Sequence, residues 1–449
     1  MAGGQGKRMV SRQPKAMHRL AGRPLLSHVL TTARSIAPQV MAVVVGKEGG
    51  AVREAFAEEK GLVFVEQHPP RGTGDAVRIA LAALPDVELT LVMNGDCPLI
   101  AASSVQQLCD TAAQGALAWL VAKTSSPQGL GRIVRDANGN VRAIVEERDA
   151  DDAQKNIDEI NVGVLAAPTA LLKRWVAQLT CDNAQQEYYL TDILSMAVHE
   201  GVPVEAVSTN EVSARGVNDR AQLADIERIV QQQQAAVLMQ QGVTLADPAR
   251  FDQRGILHCG RDVSIDVGCV FEGDVTLGDG VEIGAYCVLR NVSLADGVRI
   301  APFSHLDGAE VGAHAVIGPY ARLRPGAKLA EHTHVGNFVE IKASTLGAGS
   351  KANHLSYLGD ADIGANVNIG AGTITCNYDG VHKHKTIIGD DAFIGSNTAL
   401  VAPLTVGQSA TIGAGSTLSE DAEACALTFT RTRPIVKKNW SRPVKKRSE

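Results

Sequence analysis

Residues 386–418 read TIIGDDAFIGSNTALVAPLTVGQSATIGAGSTL, and an aliphatic side chain stands at every sixth position of this stretch. These positions are Ile388, Ile394, Leu400, Val406, Ile412 and Leu418. A period of six fits neither the 3.6-residue period of an α-helix nor the two-residue alternation of an ordinary strand. It is typical of hexapeptide repeats, in which each repeat supplies one short strand, one inward aliphatic side chain and one tight corner. The stretch therefore predicts a parallel β-helix.

The same period extends through most of the C-terminal half of the chain. It is present at Ile265, Phe271, Leu277, Ile283 and Leu289, and again at Val311, Ile317, Leu323, Leu329, Val335 and Ile341. The phase slips by one residue near Leu294, Ile300 and Leu306, where we expect adjusted corners. A polar insertion between Thr375 and Ile387 predicts a projecting loop. Ordering one residue costs roughly 1–2 kcal/mol of backbone entropy and burying one aliphatic side chain contributes roughly 1.5–3 kcal/mol, so single coils must stack to be stable.

The residues before the repeats predict an α/β domain. Up to about residue 215, short apolar runs at 40–45, 62–65, 89–93 and 116–121 alternate with helical patterns at 24–37 and 74–83. That alternation predicts a mainly parallel sheet with helices on its faces. We expect an N-terminal domain at 1–217, a linker helix at 218–242, the β-helix at 243–430 and a basic tail at 431–449.

Composition excludes several classes of protein. With 43 basic and 49 acidic residues the formal charge is -6, which argues against a protein that coats nucleic acid. No apolar run approaches the roughly 18 residues that a membrane span requires, so we expect no membrane insertion. The eight cysteines are scattered without a CxxC pair, which predicts reduced thiols in a cytoplasmic protein.

Glycines and basic residues cluster at the start of the chain, where residues 3–9 read GGQGKRM and are followed by Pro14 and Lys15. This stretch resembles the signature of sugar nucleotidyltransferases. Such glycines let backbone N–H groups close on phosphate oxygens, and Arg8 and Lys15 can neutralise charge on a transferring phosphoryl group. Asp96 follows the apolar run 89–93, at the edge of an open α/β sheet where ligands bind, so its carboxylate is a candidate Mg²⁺ ligand.

Four polar segments interrupt the β-helix pattern and carry a second resemblance. They read RLRPG at 322–326, HVGNFVE at 334–340, HLSYLGD at 354–360 and NVNIGAGTITCNYDG at 366–380. Together with the N-terminal motifs they make the chain similar, over essentially its whole length, to the bacterial family of bifunctional N-acetylglucosamine-1-phosphate uridyltransferases and glucosamine-1-phosphate N-acetyltransferases. That family implies a Rossmann-like nucleotidyltransferase domain followed by a left-handed parallel β-helix of hexapeptide repeats.

The resemblance also implies two reactions and their site residues. Acetyl-CoA would acetylate glucosamine 1-phosphate, and UTP would then convert the product to UDP-N-acetylglucosamine with release of pyrophosphate. The implied contacts to UTP and the UDP-sugar are Met1, Ala2, Gly3, Gly4, Arg8, Lys15, Gln67, Gly72, Thr73, Asn94, Gly95, Asp96, Gly131, Glu146, Asn161 and Asn218, with Mg²⁺ on Asp96 and Asn218. The implied contacts to glucosamine 1-phosphate are Arg324, Lys342, Tyr357, Asn368 and Lys383, and those to acetyl-CoA are Ala371, Asn377, Tyr378, Ser396, Ala414 and Arg431. The family further implies a homotrimer with acetyltransferase sites between subunits.

His354 is the strongest candidate for a catalytic base in the β-helix. Acetyl transfer requires deprotonation of the ammonium of glucosamine, and an imidazole with its ordinary pKa near 6.5 suits that task. The simpler alternative is a corner histidine held by a hydrogen bond. A metal site is a further alternative, since other histidines are present at 305, 314, 332, 334, 382 and 384. Their acidic and amide neighbours fit a sugar phosphate better than a metal.

One departure from the family leaves the function of the N-terminal domain open. Members carry an apolar strand before the glycine loop, whereas here Met1 stands directly before Ala2. We expect either a start upstream of Met1, which the intact remainder of the site favours, or a weakened uridyltransferase. The alternatives for the whole chain are therefore an acetyltransferase alone and a non-catalytic regulatory subunit that combines similar domains.

Overall fold

The computed structural model describes residues 1–3, 6–431 and 435–442, without the side chain of Lys7. The predicted nucleotide contact Gly4 and much of the predicted basic tail lie outside the described residues. The chain divides into two compact units, Met1–Val230 and Gln231–Glu449. No described helix is both long and apolar enough to span a membrane.

The first unit is an α/β domain. Its strands are β1 (Arg19–Leu20), β2 (Arg23–Pro24), β3 (Met41–Val45), β4 (Leu62–Glu66), β5 (Leu89–Val92), β6 (Leu117–Lys123), β7 (Arg132–Arg135), β8 (Val141–Val145), β9 (Glu159–Pro168) and β10 (Val204–Thr209). Its helices are α1 (Leu25–Arg34), α2 (Gly50–Ala55), α3 (Thr73–Ala83), α4 (Ala102–Ala112), α5 (Asp152–Lys155), α6 (Thr169–Gln178), α7 (Asp192–His199) and α8 (Glu211–Ala214). Helix α9 (Arg220–Gln240) begins in this unit and ends in the second.

The predicted strands and helices of this unit are present within a few residues, but the prediction of a mainly parallel sheet is wrong. The main sheet has the order β10-β6-β9-β7-β8, and β5 also pairs with β9. Strand β9 is antiparallel to β5, β6 and β7, and β7 and β8 form an antiparallel hairpin. None of the predicted apolar runs covers β7, β8 or β9, and it is these strands that make the sheet largely antiparallel.

A gap separates β3 from β5. Strand β3 pairs in parallel with β4, and no described strand lies between β3 and β5. Met1 and Ala2 bridge only the ends: the Ala2 N–H donates to the Val44 carbonyl (2.8 Å), and the Gly95 N–H donates to the Met1 carbonyl (2.8 Å). A cavity of about 760 Å³, lined mainly by apolar side chains, occupies the remainder of the gap.

The second unit is a parallel β-helix. Its strands are β11 (Thr244–Leu245), β12 (Asp252–Cys259), β13 (Ser264–Ile265), β14 (Val270–Leu277), β15 (Glu282–Ile283), β16 (Val288–Leu294), β17 (Arg299–Ile300), β18 (His305–Asp307), β19 (Glu310–Val311), β20 (Val316–Ile317), β21 (Arg322–Leu323), β22 (Lys328–Leu329), β23 (His334–Asn337), β24 (Glu340–Lys342), β25 (Thr345–Leu346), β26 (Lys351–His354), β27 (Tyr357–Gly359), β28 (Ala361–Ile363), β29 (Asn368–Ile369), β30 (Ile374–Cys376), β31 (Thr386–Ile388), β32 (Phe393–Ile394), β33 (Ala399–Val401), β34 (Leu404–Val406), β35 (Thr411–Ile412), β36 (Thr417–Leu418) and β37 (Leu427–Thr428).

Three strands from each coil build three faces. Face A is the sheet β11-β13-β15-β17-β20-β23-β26-β29-β32-β35-β37. Face B contains β18-β21-β24-β27-β30-β33-β36, and face C contains β19-β22-β25-β28-β31-β34; both join at β16. The aliphatic residues at the six-residue period are buried inside, as the period predicts. Interior corners hold Ser356, Thr373, Thr398 and Ser416, whose hydroxyls donate to backbone carbonyls.

The predicted phase slip corresponds to shorter coils. Ile283 pairs with Ile300 and Ile300 with Ile317, which are 17 residues apart, whereas Ile265 pairs with Ile283, 18 residues on. The predicted loop is also present. It connects β30 to β31 and is closed by an antiparallel bridge between Tyr378 and Lys383.

Candidate active sites

Lys15, Asp96 and Asn218 converge in the first unit. Lys15 lies in a short 3₁₀ turn, Asp96 follows β5, and Asn218 precedes α9. The Lys15 ammonium, whose side chain is only 12% exposed, forms an ion pair with Asp96 and donates to Oδ1 of Asn218 (2.8 Å). Burial beside the Asp96 carboxylate raises the pKa of the Cys97 thiol, so this cysteine is not an activated nucleophile. The site therefore offers one cation and two oxygen ligands.

Two further groups of predicted contacts are held by hydrogen bonds. Gln67 donates through Nε2 to the Gly72 carbonyl (3.0 Å) and to Oδ2 of Asp75 (2.9 Å), which fixes the loop before α3. Thr73 opens α3, and its Oγ1 accepts a hydrogen bond from the Leu190 N–H (3.2 Å).

Gly131, Glu146 and Asn161 lie together. The Asn161 N–H donates to the Gly131 carbonyl (2.9 Å), and a Cβ on Gly131 would lie 3.5 Å from Oε2 of Glu146 and 3.5 Å from Cβ of Asn161. Oδ1 of Asn161 already accepts hydrogen bonds from Trp119 (2.6 Å) and from the Gly163 N–H (2.7 Å). Burial raises the pKa of Glu146, and nearby carboxylates raise it further.

Not every predicted contact of this unit joins these groups. Arg8 is exposed. Met1, Ala2 and Gly95 are joined by backbone hydrogen bonds at the ends of β3 and β5, and Asn94 lies against Gly163 in β9. The backbone of Gly3 lies close to that of Gly46.

In the second unit, four predicted residues align along the edge at which face A ends: His354, Ala371, Ser396 and Ala414. Each is followed by a corner residue with positive φ, and these corner residues are Leu355, Gly372, Asn397 and Gly415. The N–H of each later corner residue donates to the carbonyl one coil before: Gly372 to His354 (3.2 Å), Asn397 to Ala371 (2.7 Å) and Gly415 to Ser396 (2.7 Å). Leu355 donates in the same way to Asn337 (3.1 Å). We call Asn337, His354, Ala371, Ser396 and Ala414 the edge column.

Face B brings cations together at the end of its strands, beyond the corner at which face A ends. After His354 the chain turns the corner and begins β27 with Tyr357. Arg324 donates through Nη1 to Glu340 (2.8 Å), and the Lys342 ammonium lies 3.8 Å from Asp360. Proximity to Lys342 lowers the pKa of Lys383, because two ammonium groups repel. Neighbouring like charges on a protein surface favour an anionic ligand.

Asn377 also joins this group, since its Nδ2 donates to the Asp360 carboxylate. The other predicted contacts form interactions outside this group. Tyr378 is exposed and its hydroxyl donates to Gly380 in its own loop (2.6 Å). Asn368 lies on face A, opposite Lys351 and Phe393. The Arg431 guanidinium packs over the Phe429 ring, 5.5 Å from its centroid.

Comparison with known proteins identifies the family of the chain. Residues 1–160 match the MobA-like NTP transferase domain, residues 258–291 the bacterial transferase hexapeptide (six repeats), and residues 385–420 the hexapeptide repeat of succinyl-transferase. The chain is 56% identical over 451 residues to "Bifunctional protein GlmU" of Bordetella parapertussis, covering 99% of this chain and 98% of that protein. It is 55% identical over 449 residues to the protein of the same name from Burkholderia multivorans, covering 100% and 99%.

The chain belongs to the GlmU family. A solved UDP-glucose pyrophosphorylase complexed with UDP-glucose is also similar, at 15% identity and a TM-score of 0.44, over 52% of this chain and 97% of that one.

Membership of the GlmU family confirms the predicted fold class and the predicted pair of activities. The protein is a bifunctional transferase, a UDP-N-acetylglucosamine diphosphorylase and a glucosamine-1-phosphate N-acetyltransferase. These findings support that interpretation and not the alternatives of an acetyltransferase alone or a regulatory subunit.

The structure of this GlmU family member adds polar residues that were not among the predicted contacts. Asp360 lies between Lys342 and Asn377, and Glu340 pairs with Arg324. Asn337 accepts a hydrogen bond at Oδ1 from Nδ1 of His354 (2.9 Å). All three stand one coil length, 17 residues, before a predicted contact: Asn337 before His354, Glu340 before Tyr357 and Asp360 before Asn377.

Proposed function

We propose that acetyl transfer takes place at the corner where face A meets face B. The observation that supports this most strongly is the edge column itself, in which backbone hydrogen bonds align His354 with Ala371, Ser396 and Ala414 in successive coils. An extended acyl-CoA arm would follow this column. The sugar phosphate would bind on the adjoining face, so that the amine and the thioester meet beside His354.

Three cations would hold the phosphate of glucosamine 1-phosphate. Arg324, Lys342 and Lys383 all lie on or next to face B, and a phosphate between Lys342 and Lys383 would relieve the repulsion that lowers the pKa of Lys383. The sugar ring would then extend towards Tyr357 and Asn377. This orientation directs the amine at C2 towards the edge column.

His354 would act as the general base. The Nε2 atom takes a proton from the amine as the nitrogen attacks the acetyl carbonyl carbon. The C–N bond forms, the C–S bond of the thioester breaks, and the CoA thiolate leaves and takes up a proton. No covalent acyl-enzyme is needed, because the base and both substrates are held together.

Uridylyl transfer would take place beside Lys15, Asp96 and Asn218. The oxygens of Asp96 and Asn218 both reach one ammonium nitrogen, so they converge closely enough to share a small cation, and carboxylate and amide oxygens are ligands that Mg²⁺ accepts. When bound, Mg²⁺ would neutralise charge on the phosphates of UTP. Lys15 would then be free to bind an α-phosphate oxygen, while Glu146 and the backbone near Gly131 would hold the N-acetylglucosamine moiety.

We further propose a homotrimer that works in the cytoplasm. Tyr286, Phe303, Tyr320 and Phe338 stack along the edge that leads to the edge column and are about half exposed. Exposed apolar stripes of this kind favour burial against another chain. All eight cysteines are free thiols, which supports a reducing compartment.

The experiment for the acetyl site is His354→Ala. We expect acetyl transfer to fall by at least about a hundredfold, the low end for loss of a general base, and uridylyl transfer to stay unchanged. His314→Ala is the matched control, because His314 stacks on His332 at a corner and is not part of the edge column. Undiminished acetyl transfer in His354→Ala would exclude the base, and equal loss of both activities would contradict separate sites.

A further inference from the structure

We propose that Asn337 is a positioning residue that sets the tautomer of His354 for acetyl transfer. Its amide oxygen accepts the proton on Nδ1 of His354 at 2.9 Å, which leaves the lone pair of the neutral imidazole on Nε2. This inference rests on the proposed role of His354 as the base.

The backbone places the two side chains in register. Asn337 ends β23 and His354 ends β26, and the two residues are direct partners in the parallel ladder of face A. Both are followed by corner residues with positive φ, Phe338 and Leu355. Because the two side chains leave the same position of successive coils, their hydrogen bond needs no distortion of either strand.

The backbone of His354 is held independently of Asn337. The Gly372 N–H and the Ser356 hydroxyl both donate to the His354 carbonyl, at 3.2 and 2.9 Å. Loss of the Asn337 side chain would therefore free the ring to rotate and to change tautomer without releasing the strand. A positioning role of this kind affects the rate more than the stability of the fold.

The amide is chemically suited to this role. An amide oxygen only accepts, so it requires a proton on Nδ1 and excludes the tautomer with the proton on Nε2. The opposite orientation of the amide, with Nδ2 donating to Nδ1, would place the proton on Nε2 and block the base. The structure has the orientation that leaves Nε2 unprotonated, with Oδ1 of Asn337 facing Nδ1 of His354.

The tautomer can be measured directly. In the full-length enzyme labelled with ¹⁵N-histidine, the His354 signals are assigned as those lost in His354→Ala. At a pH where the ring is neutral, we expect a protonated Nδ1 and an unprotonated Nε2 in the wild type. A protonated Nε2 in the wild type would overturn the proposal, whatever the activity of any variant.

Kinetics of Asn337 variants provide the second measurement. Asn337→Leu removes the acceptor at nearly constant volume, and we expect kcat for acetyl transfer to fall by roughly 10- to 100-fold, as is typical for loss of an orienting partner. KM for glucosamine 1-phosphate should stay unchanged, and ¹⁵N spectra should show a mixture of tautomers. Asn337→Asp keeps an acceptor and should restore most of kcat together with the protonated Nδ1.

Controls separate positioning from folding. Thr345→Val removes a comparable hydrogen bond between coils, from Thr345 to Asp362 on face C, and should leave kcat unchanged. Unchanged uridylyl transfer shows only that the first unit is folded, so an unchanged Tm of the β-helix unit in every variant is the control for its folding. Wild-type kcat in folded Asn337→Leu would overturn the proposal. If that variant does not fold, the tautomer of His354 in the wild type and the kcat of Asn337→Asp still test the proposal. Retained activity in His354→Ala would instead refute the base itself.

Discussion

The ammonium of Lys15 is ion-paired with the carboxylate of Asp96, in the position that the proposed Mg²⁺ would take. The same ammonium also donates to Oδ1 of Asn218, the other proposed metal ligand. A lysine and a metal ion cannot occupy this position together. Binding of UTP would remove Lys15 from the two oxygens, because the phosphates offer it a stronger partner, and would thereby couple nucleotide binding to metal binding.

Replacement of Lys15 should therefore strengthen metal binding while it weakens catalysis. We expect Lys15→Met to raise the affinity for Mn²⁺, used as a paramagnetic substitute for Mg²⁺, by about tenfold in the absence of nucleotide, which corresponds to about 1.4 kcal/mol. Electron paramagnetic resonance of free Mn²⁺ measures this directly. Lys173→Met, which breaks an exposed ion pair with Asp86, is the control. Unchanged or weaker Mn²⁺ binding in Lys15→Met would contradict the competition.

Lys342 on face B and Lys383 in the neighbouring loop predict a pH dependence of sugar-phosphate binding. Lys342 lowers the pKa of Lys383, so Lys383 loses its proton at a lower pH than an isolated lysine would. KM for glucosamine 1-phosphate should rise as the pH rises through this pKa. Lys342→Met should raise KM at neutral pH, because one cation is lost, and should move the alkaline rise of KM to higher pH, because the repulsion is removed.

The measurement is KM for acetyl transfer between about pH 7 and pH 11, a range that includes the ordinary lysine pKa of about 10.4. Titration of the substrate amine is common to all variants and cancels in the comparison. Lys385→Met is the control, since Lys385 pairs with Asp362. If KM for glucosamine 1-phosphate rises at the same alkaline pH in Lys342→Met as in the wild type, the two ammonium groups do not interact.

Gly359 leaves room for the proposed sugar contacts. A Cβ at this position would collide with the Tyr357 hydroxyl and lie 2.9 Å from Nδ2 of Asn377. We expect Gly359→Ala to displace Tyr357 and to raise KM for glucosamine 1-phosphate by about tenfold, while Tm changes little because the displaced group is the end of a flexible side chain. Steady-state kinetics and calorimetry test both parts. A large fall in Tm with unchanged KM would assign Gly359 to packing instead.

The β-helix was predictable from the sequence because its interior repeats. Ile283, Ile300 and Ile317 face inward at intervals that the sequence already contains, including the change from 18 to 17 residues per coil. The outer surface has no such aliphatic period, so the ion pairs of Asp360 with Lys342 and of Glu340 with Arg324 became visible only with the coils stacked. In the first unit the predicted runs did not include β7, β8 and β9, the strands whose antiparallel pairing breaks the parallel pattern.

The buried position of the Glu146 carboxyl indicates a conflict between the stability of the first unit and sugar binding. Burial raises its pKa in the folded protein, so the group contributes stability below its unfolded-state pKa and loses that contribution as the pH rises through the folded value. The ionised carboxylate therefore destabilises the first unit at neutral pH. Glu146→Gln should raise its Tm at pH 7, by about 2–4 °C for each kcal/mol of relief, and weaken binding of UDP-N-acetylglucosamine.

The adjacent Glu147 is a control for which we expect the opposite change in Tm. Its pair with Arg132 lowers its pKa, so its stabilisation is present at neutral pH and is lost as the pH falls. Glu147→Gln should lower Tm at pH 7, whereas the gain in Glu146→Gln should grow as the pH rises from about 4.5, the ordinary value for a glutamate, through the raised pKa of Glu146. Thermal unfolding of the three proteins across this range separates the two effects. A gain in Glu146→Gln that does not depend on pH would show that the carboxylate is not destabilised by burial, since a neutral amide differs from it only where the carboxyl ionises.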